Sequence, residues 1–323
     1  MTYTGGVTRR SRRFARRSWR RRRPQENVRP GGHGGHTSLG RIEHVRAGVL
    51  DIAYAEFGPR SGQAVVLLHG WPYDAHSYVD VAPLLAAEGY RVLVPFLRGY
   101  GATRFLLPHA VRNGQQSAVA LDVIAFTDAL RIDRAVLGGF DWGARTVGVV
   151  AAVWPRRCKA IVAVSGYLVT NLAENLEPLP PAVERNWWYQ CYFATERGAL
   201  GYRRDRHGFN KLIWRTASPA WDFDDATYDR SAASFENLDH VAIVIHNYRW
   251  RLGLAPGEAR YERAGAGRRA GGHDRQRLRR RGRGRRVLPR QVHRPVRPPG
   301  VRGHRPQRPA GGAAAVRAGG RRR

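Results

Sequence analysis

The chain nearly lacks lysine: Lys159 and Lys211 are its only two, against 54 arginines in 323 residues. Cysteine is as scarce. Cys158 and Cys191 have neither metal-ligand nor redox spacing, which excludes a disulfide framework and leaves both as small buried or half-buried residues. No stretch approaches 18 consecutive apolar residues, so no membrane-spanning helix is expected. The opening "VTRRSRRFARRSWRRRR" contains a twin-arginine pair with no apolar run behind it and, as written, is not a secretory signal. The compartment expected by default is cytoplasmic, with export expected only if this segment is an out-of-phase twin-arginine signal.

Acidic residues are missing from the two ends. Residues 1–36 hold 11 arginines and one acid, Glu26; residues 263–323 hold 21 arginines and one acid, Asp274. Of the formal charge of +31, the middle stretch 37–262 keeps only +1. A charge of +31 spread over one body would point to nucleic acid or an anionic membrane, but here it sits on flanks. The flank "RRAGGHDRQRLRRRGRGRRVLPRQVHRPVRPPGVRGHRPQRP" has no apolar period of 2 or 3.6 and is expected to be disordered. Two functional readings of it are an arm for nucleic acid and an arm for a membrane surface. A third is that GC-rich codons for Ala and Gly, read one base out of phase, have become arginine. "GGHGGH" at 31–36 is read as a flexible linker.

What is present in the middle is an alternation of apolar runs and amphipathic stretches. "RAGVLDIAYAEF" (46–57) reads as a strand or hairpin, "AVVLLHG" (64–70) as a strand buried on both faces, and "YVDVAPLLAAEG" as a helix closed by Gly89. The pattern continues through the strand "YRVLVPFLRGYG", the helix "GQQSAVALDVIAFTDALRI", the strand "RAVLGGF", the helix "WGARTVGVVAAVW" stopped by Pro155, and the strand "KAIVAVSGY". Strands alternating with helices predict an α/β fold with a mostly parallel sheet. From 167 to 252 the strands give way to helical stretches rich in aromatics. "NWWYQCYFATERGALGYRRD", "FNKLIWRTAS", "YDRSAASFEN" and "HVAIVIHNYRW" each predict one helix, and together a lid. The expected organisation is an Arg-rich segment over 1–38, an α/β core over 39–166, a helical cap over 167–252 and an Arg/Gly/Pro-rich tail over 253–323. A sheet of this kind should regain two strands after residue 255, and none is legible there.

The chemistry centres on "GGFDWGARTVG". Gly139-Phe140-Asp141-Trp142-Gly143 stands where a buried strand meets a helix. A nucleophile on such a turn needs small residues two places to either side, because larger side chains would strike the neighbouring strand and helix. The helix N-terminus behind it favours negative charge. About 70 residues earlier "LLHGWP" ends another strand.

"HGWP", "LRGYG", "GFDWG" and the aromatic lid together resemble the α/β-hydrolase superfamily, in its epoxide hydrolase and haloalkane dehalogenase branch, over about residues 39–255. The resemblance implies that Asp141 attacks an sp3 carbon and forms an alkyl ester, which a histidine-activated water then opens at its carbonyl carbon. It implies that the backbone N–H groups of Trp71 and Trp142 stabilise the resulting oxyanion. An epoxide leaves as an alkoxide and needs a proton. Tyr189, in "WWYQCYF", and Tyr248, in "IHNYRW", resemble the lid tyrosines that supply it. Taken alone, each reads as an ordinary core aromatic; two such tyrosines in these contexts read as functional.

Epoxide opening is therefore expected first and haloalkane or haloacid dehalogenation second. Trp71 replaces the asparagine that dehalogenases commonly place after His-Gly, while the Trp142 indole N–H could hold a halide. A nucleic-acid binder on an inactive hydrolase scaffold is the alternative outside enzymes. Arg98 could bind an acidic substrate, but pairing within its own loop is the favoured reading. No cofactor or metal is expected, and the partner is a small-molecule substrate. The resemblance also implies a late histidine in a G-H-x-x-P-Q-like segment, with a supporting acid before it. "GHRPQRP" around His304 echoes it, and His273, His293 and Asp274 share the same arginine-rich tail. With no strand to place such a histidine, Asp141 would be alkylated and released slowly.

Overall fold

The computed structural model describes residues 38–166, 177–259 and 261. The expected N-terminal arm up to residue 37, and the tail beyond residue 261 with His273, Asp274, His293 and His304, lie outside the described residues.

Strands β1 (Ile42–Ala47) and β2 (Leu50–Phe57) form an antiparallel hairpin. Its tight turn contains Gly48 at φ +58, a backbone region that glycine enters without steric cost. The other strands are β3 (Ala64–Leu68), β4 (Arg91–Pro95), β5 (Arg104–Phe105), β6 (Ala135–Phe140) and β7 (Cys158–Val164). Their order is β1-β2-β4-β3-β6-β7, with β5 paired to β2. β4, β3, β6 and β7 run parallel, and β2 joins β4 antiparallel. All five residues of β3 are buried, as its unbroken apolar run predicts for the middle of a sheet covered on both faces.

Helices α1 (Val81–Ala87), α2 (Gln116–Ala129) and α3 (Trp142–Val153) form the crossovers. α3 ends directly before Pro155, which cannot extend the hydrogen-bond ladder. Among the described residues β7 is the last strand and stands at the sheet edge, with Ile161, Val162 and Val164 36–58% exposed.

The second half is helical: α4 (Pro181–Glu184), α5 (Trp188–Ala194), α6 (Glu196–Arg204), α7 (Arg206–Ala217), α8 (Asp225–Ala232) and α9 (His240–Arg251). The single helix expected over "NWWYQCYFATERGALGYRRD" is two. Thr195 breaks it at φ −93, ψ 156, and its hydroxyl accepts the Gly198 N–H at 2.9 Å. A threonine that caps a new helix competes with continuation of the old one.

These helices lie against the ends of β3 and β4. Trp214 Nε1 donates to Pro72 O at 2.7 Å, Ser234 Oγ donates to Asp74 Oδ2 at 2.5 Å, and Asn237 Nδ2 donates to Thr103 O at 2.7 Å. The interface is aromatic: Trp71 is in ring contact with Tyr189, Phe193, Tyr202, Phe209 and Tyr248.

Arg98 does not pair within its own loop as expected. Its guanidinium is buried and holds Asp122 of α2 with two 2.6 Å hydrogen bonds, while also donating to Asn113 O and Ala118 O. It is a structural strut between the β4 loop and α2. Removing one partner of such a pair leaves a buried charge uncompensated, so Asp122→Ala should lower the unfolding free energy by about 3–5 kcal/mol in urea titration. The double variant Arg98→Met/Asp122→Leu should recover most of that loss. A single-variant cost below about 1 kcal/mol would show the strut to be dispensable.

Candidate active site

β6 delivers residue 141 to the top of the sheet and α3 begins one residue later. Asp141 sits at φ +48, ψ −112, a conformation that a non-glycine residue adopts at a cost of about 1–3 kcal/mol. Two backbone hydrogen bonds hold it there. Asp141 N donates to Val164 O of β7 at 3.0 Å, and Arg145 N donates to Asp141 O at 3.1 Å. The flanking glycines are required sterically. A Cβ at Gly139 would overlap the Gly143 backbone, and one at Gly143 would overlap the Leu68 carbonyl. Gly70 is equally constrained, since a Cβ there would press on the Asp141 side chain.

The loop after β3 brings a donor to the carboxylate: Trp71 N–H donates to Asp141 Oδ1 at 3.0 Å. The other oxygen, Oδ2, lies 3.6 Å from Arg145 Nη2, one helical turn along α3. Trp142, the first residue of α3, is buried, and its Nε1 finds no hydrogen-bond partner among the described residues. First-turn N–H groups of a helix lack intrahelical partners, so the Trp142 amide belongs to the same donor-rich corner.

Tyr189 on α5 and Tyr248 on α9 meet over this corner with ring centroids 5.5 Å apart and planes at 84°. Both rings also pack on Trp71, with centroids 4.9 and 5.3 Å from its ring. Burial, and then the negative charge of Asp141, pushes the Tyr189 hydroxyl well above its usual range; Arg251 and Arg145 oppose the shift. Tyr248 is raised likewise, by burial, Tyr189 and Asp141. Both are held as neutral O–H donors. The two tyrosines and Asp141, far apart in sequence, are brought together by the fold.

Trp71, Asp141 and Tyr189 line a cavity of about 1350 Å³, together with Tyr73, Phe140 and Trp188. Among the described residues its one lining histidine is His76, whose Nδ1 lies 2.7 Å from Asp74 Oδ2. The sequence motifs name neither His76 nor Arg145 for this site. Arg145, four residues after Asp141, was legible as a helical neighbour; the Asp74–His76 pair, two residues apart in a loop, carries no periodic signal. Two other histidines are structural. His69 Nε2 accepts Leu97 N–H at 3.1 Å, and burial pushes its imidazole down to about 4. His240 is pushed down to about 3, again by burial. Among the described residues no group of three metal-ligating side chains occurs, and no helix is long and apolar enough to cross a membrane.

The chain that carries this site has counterparts among known proteins. Residues 63–238 match the family model described as alpha/beta hydrolase fold. The chain belongs to the α/β hydrolase family. Within it the chain is epoxide hydrolase-like. It is 32% identical over 157 residues to epoxide hydrolase B of Mycobacterium tuberculosis, covering 44% of this chain and 42% of that protein. It is 31% identical over 152 residues to bifunctional epoxide hydrolase 2 of Sus scrofa, covering 46% and 26%. The chain thus matches less than half the length of these curated relatives. A solved structure from Klebsiella pneumoniae, provisionally named an epoxide hydrolase, is 56% identical, with a TM-score of 0.69 over 71% of this chain and 76% of that one. A Pseudomonas aeruginosa structure with a similar provisional name, 23% identical at a TM-score of 0.60, shares the fold.

The buried histidines of this hydrolase give it a pH signature. His69 and His240 bind protons near pH 6.5 when unfolded but only near pH 4 and 3 when folded. The unfolded chain therefore takes up more protons below pH 6.5, and the stability these groups contribute is lost as pH falls toward 4. Urea midpoints should drop steadily from pH 6.5 to pH 4.5, and a flat profile would contradict the neutral, buried assignment.

Proposed function

We propose that this α/β hydrolase opens epoxides with Asp141 as the nucleophile. Oδ2 attacks an epoxide carbon, the C–O bond breaks, and the released alkoxide takes a proton from Tyr189 or Tyr248. The product of this step is a neutral alkyl ester of Asp141. Water adding to the carbonyl carbon of that ester would generate an oxyanion at the position where the Trp71 N–H now meets Oδ1, with the Trp142 amide as the second donor. In this reading residues 39–166 form the catalytic core and 167–252 the cap that carries the proton donors.

The observation that supports it best is the pair of buried, neutral tyrosines in ring contact above a carboxylate held at a strained φ. A halide leaves without a proton, so a dehalogenase has no use for two neutral hydroxyl donors there. The Trp142 indole N–H, buried without a partner among the described residues, favours haloalkane dehalogenation as the second reading. Release of the ester requires a base. His304, the residue that sequence resemblance offers, lies outside the described residues.

Incubating the full chain with a small epoxide and, separately, with a bromoalkane of the same carbon skeleton distinguishes the readings. The epoxide should add its own mass to the protein once, or appear as diol, and Asp141→Asn should abolish both by at least about a thousandfold. Tyr189→Phe/Tyr248→Phe should slow reaction with the epoxide by roughly 100-fold or more while sparing any reaction with the bromoalkane. Modification by the bromoalkane alone would reject epoxide opening in favour of dehalogenation.

A further inference from the structure

Trp71 is tied to the cap by its side chain as well as to Asp141 by its backbone. Its Nε1–H donates to the Tyr202 hydroxyl of α6 at 3.0 Å. Tyr202 Oη lies 2.8 Å from His240 Nε2 on α9, and His240 Nδ1 lies 2.9 Å from the Gly99 carbonyl. The direction of every bond in this chain is fixed. A carbonyl can only accept, so His240 carries its proton on Nδ1, and Nε2 of the neutral ring must accept from the Tyr202 O–H. That leaves the Tyr202 oxygen free to accept from the indole.

The three side chains are at most 4% exposed. Gly99, at φ +78, is packed so closely that a Cβ would press on Ile243 of α9. The end of the relay is therefore as rigid as its beginning. The anchors reach Trp71 from 131 and 169 residues away.

We propose that Tyr202 and His240 are positioning residues, which aim the Trp71 N–H at the carboxylate of Asp141 by locking the indole ring to the cap. This rests on Asp141 being the nucleophile. A backbone donor contributes to catalysis only if it is held where charge develops, within a fraction of an ångström. The loop that carries Trp71 has no strand or helix of its own at that residue, so the side chain supplies the anchor. The relay also spans cap and core, so the donor is aligned only when α6 and α9 are seated.

A double-mutant cycle on full-length protein tests this, with the rate constant and half-saturation concentration for modification of Asp141 by a small epoxide as readouts. Trp71→Phe and Tyr202→Phe should each lower the rate constant roughly tenfold and leave the half-saturation concentration within about twofold. The double variant should be no slower than Trp71→Phe, because Tyr202 acts only through the indole. His240→Gln provides a second variant should Tyr202→Phe fold poorly, and the same slowing is expected. Additive, roughly hundredfold slowing in the double variant would mean that Tyr202 acts independently of Trp71 and would overturn the proposal, as would an unimpaired rate in Tyr202→Phe. If the unmodified chain does not react at Asp141 with any epoxide, the reading beneath the proposal fails and takes it along; an active chain with an unimpaired Tyr202→Phe removes the positioning role alone.

Discussion

The backbone at residue 141 has to turn from a strand into a helix within one residue, and the rest of the molecule is arranged around that demand. The turn forces an acidic side chain into a left-handed conformation that open solvent would not sustain. Val164 of β7 and Arg145 of α3 grip it from both sides by backbone hydrogen bonds, and Gly70, Gly139 and Gly143 clear the space it occupies. One grip comes from the sheet and the other from the helix that follows the turn. The carboxylate's position therefore depends on both β7 and α3, and a substitution that loosens either acts on it.

Above the turn the protein relies on rings. Trp71 lies among Tyr189, Phe193, Tyr202 and Tyr248, which are contributed by α5, α6 and α9. Rings of this size bury large apolar areas while their hydroxyl and indole groups still seek partners, so one cluster both excludes water and leaves directed O–H and N–H groups inside. Burial also holds the tyrosines neutral, and in the proposed reading this lets the cap serve as a source of protons as well as a cover.

Much of this was legible in the sequence because it depends on local rules. Apolar runs such as "AVVLL" and "AVLGGF" have one physical outcome in a sheet covered on both faces, and Gly139-x-Asp141-x-Gly143 is constrained by the tightness of a single turn. The lid tyrosines were legible through resemblance, not through any period of their own. What escaped were features made by long-range contact. Arg98 looks like a loop arginine until α2 is seen to place Asp122 beside it. Thr195 reads as one more residue of a helix until its hydroxyl is seen to cap the next. His240 and Tyr202, 38 residues apart, acquire meaning only through the hydrogen bond between them.

The central claim is that the carboxylate of residue 141 becomes an ester. An alkyl ester reacts with hydroxylamine under conditions that leave ethers, thioethers and alkylated imidazoles intact. Full-length protein treated with an epoxide, then with hydroxylamine, and digested should yield a peptide spanning residue 141 that carries a hydroxamate in place of the aspartate carboxyl. A hydroxylamine-resistant adduct on Cys191 or His76, with the residue 141 peptide unmodified and no diol formed, would contradict the account.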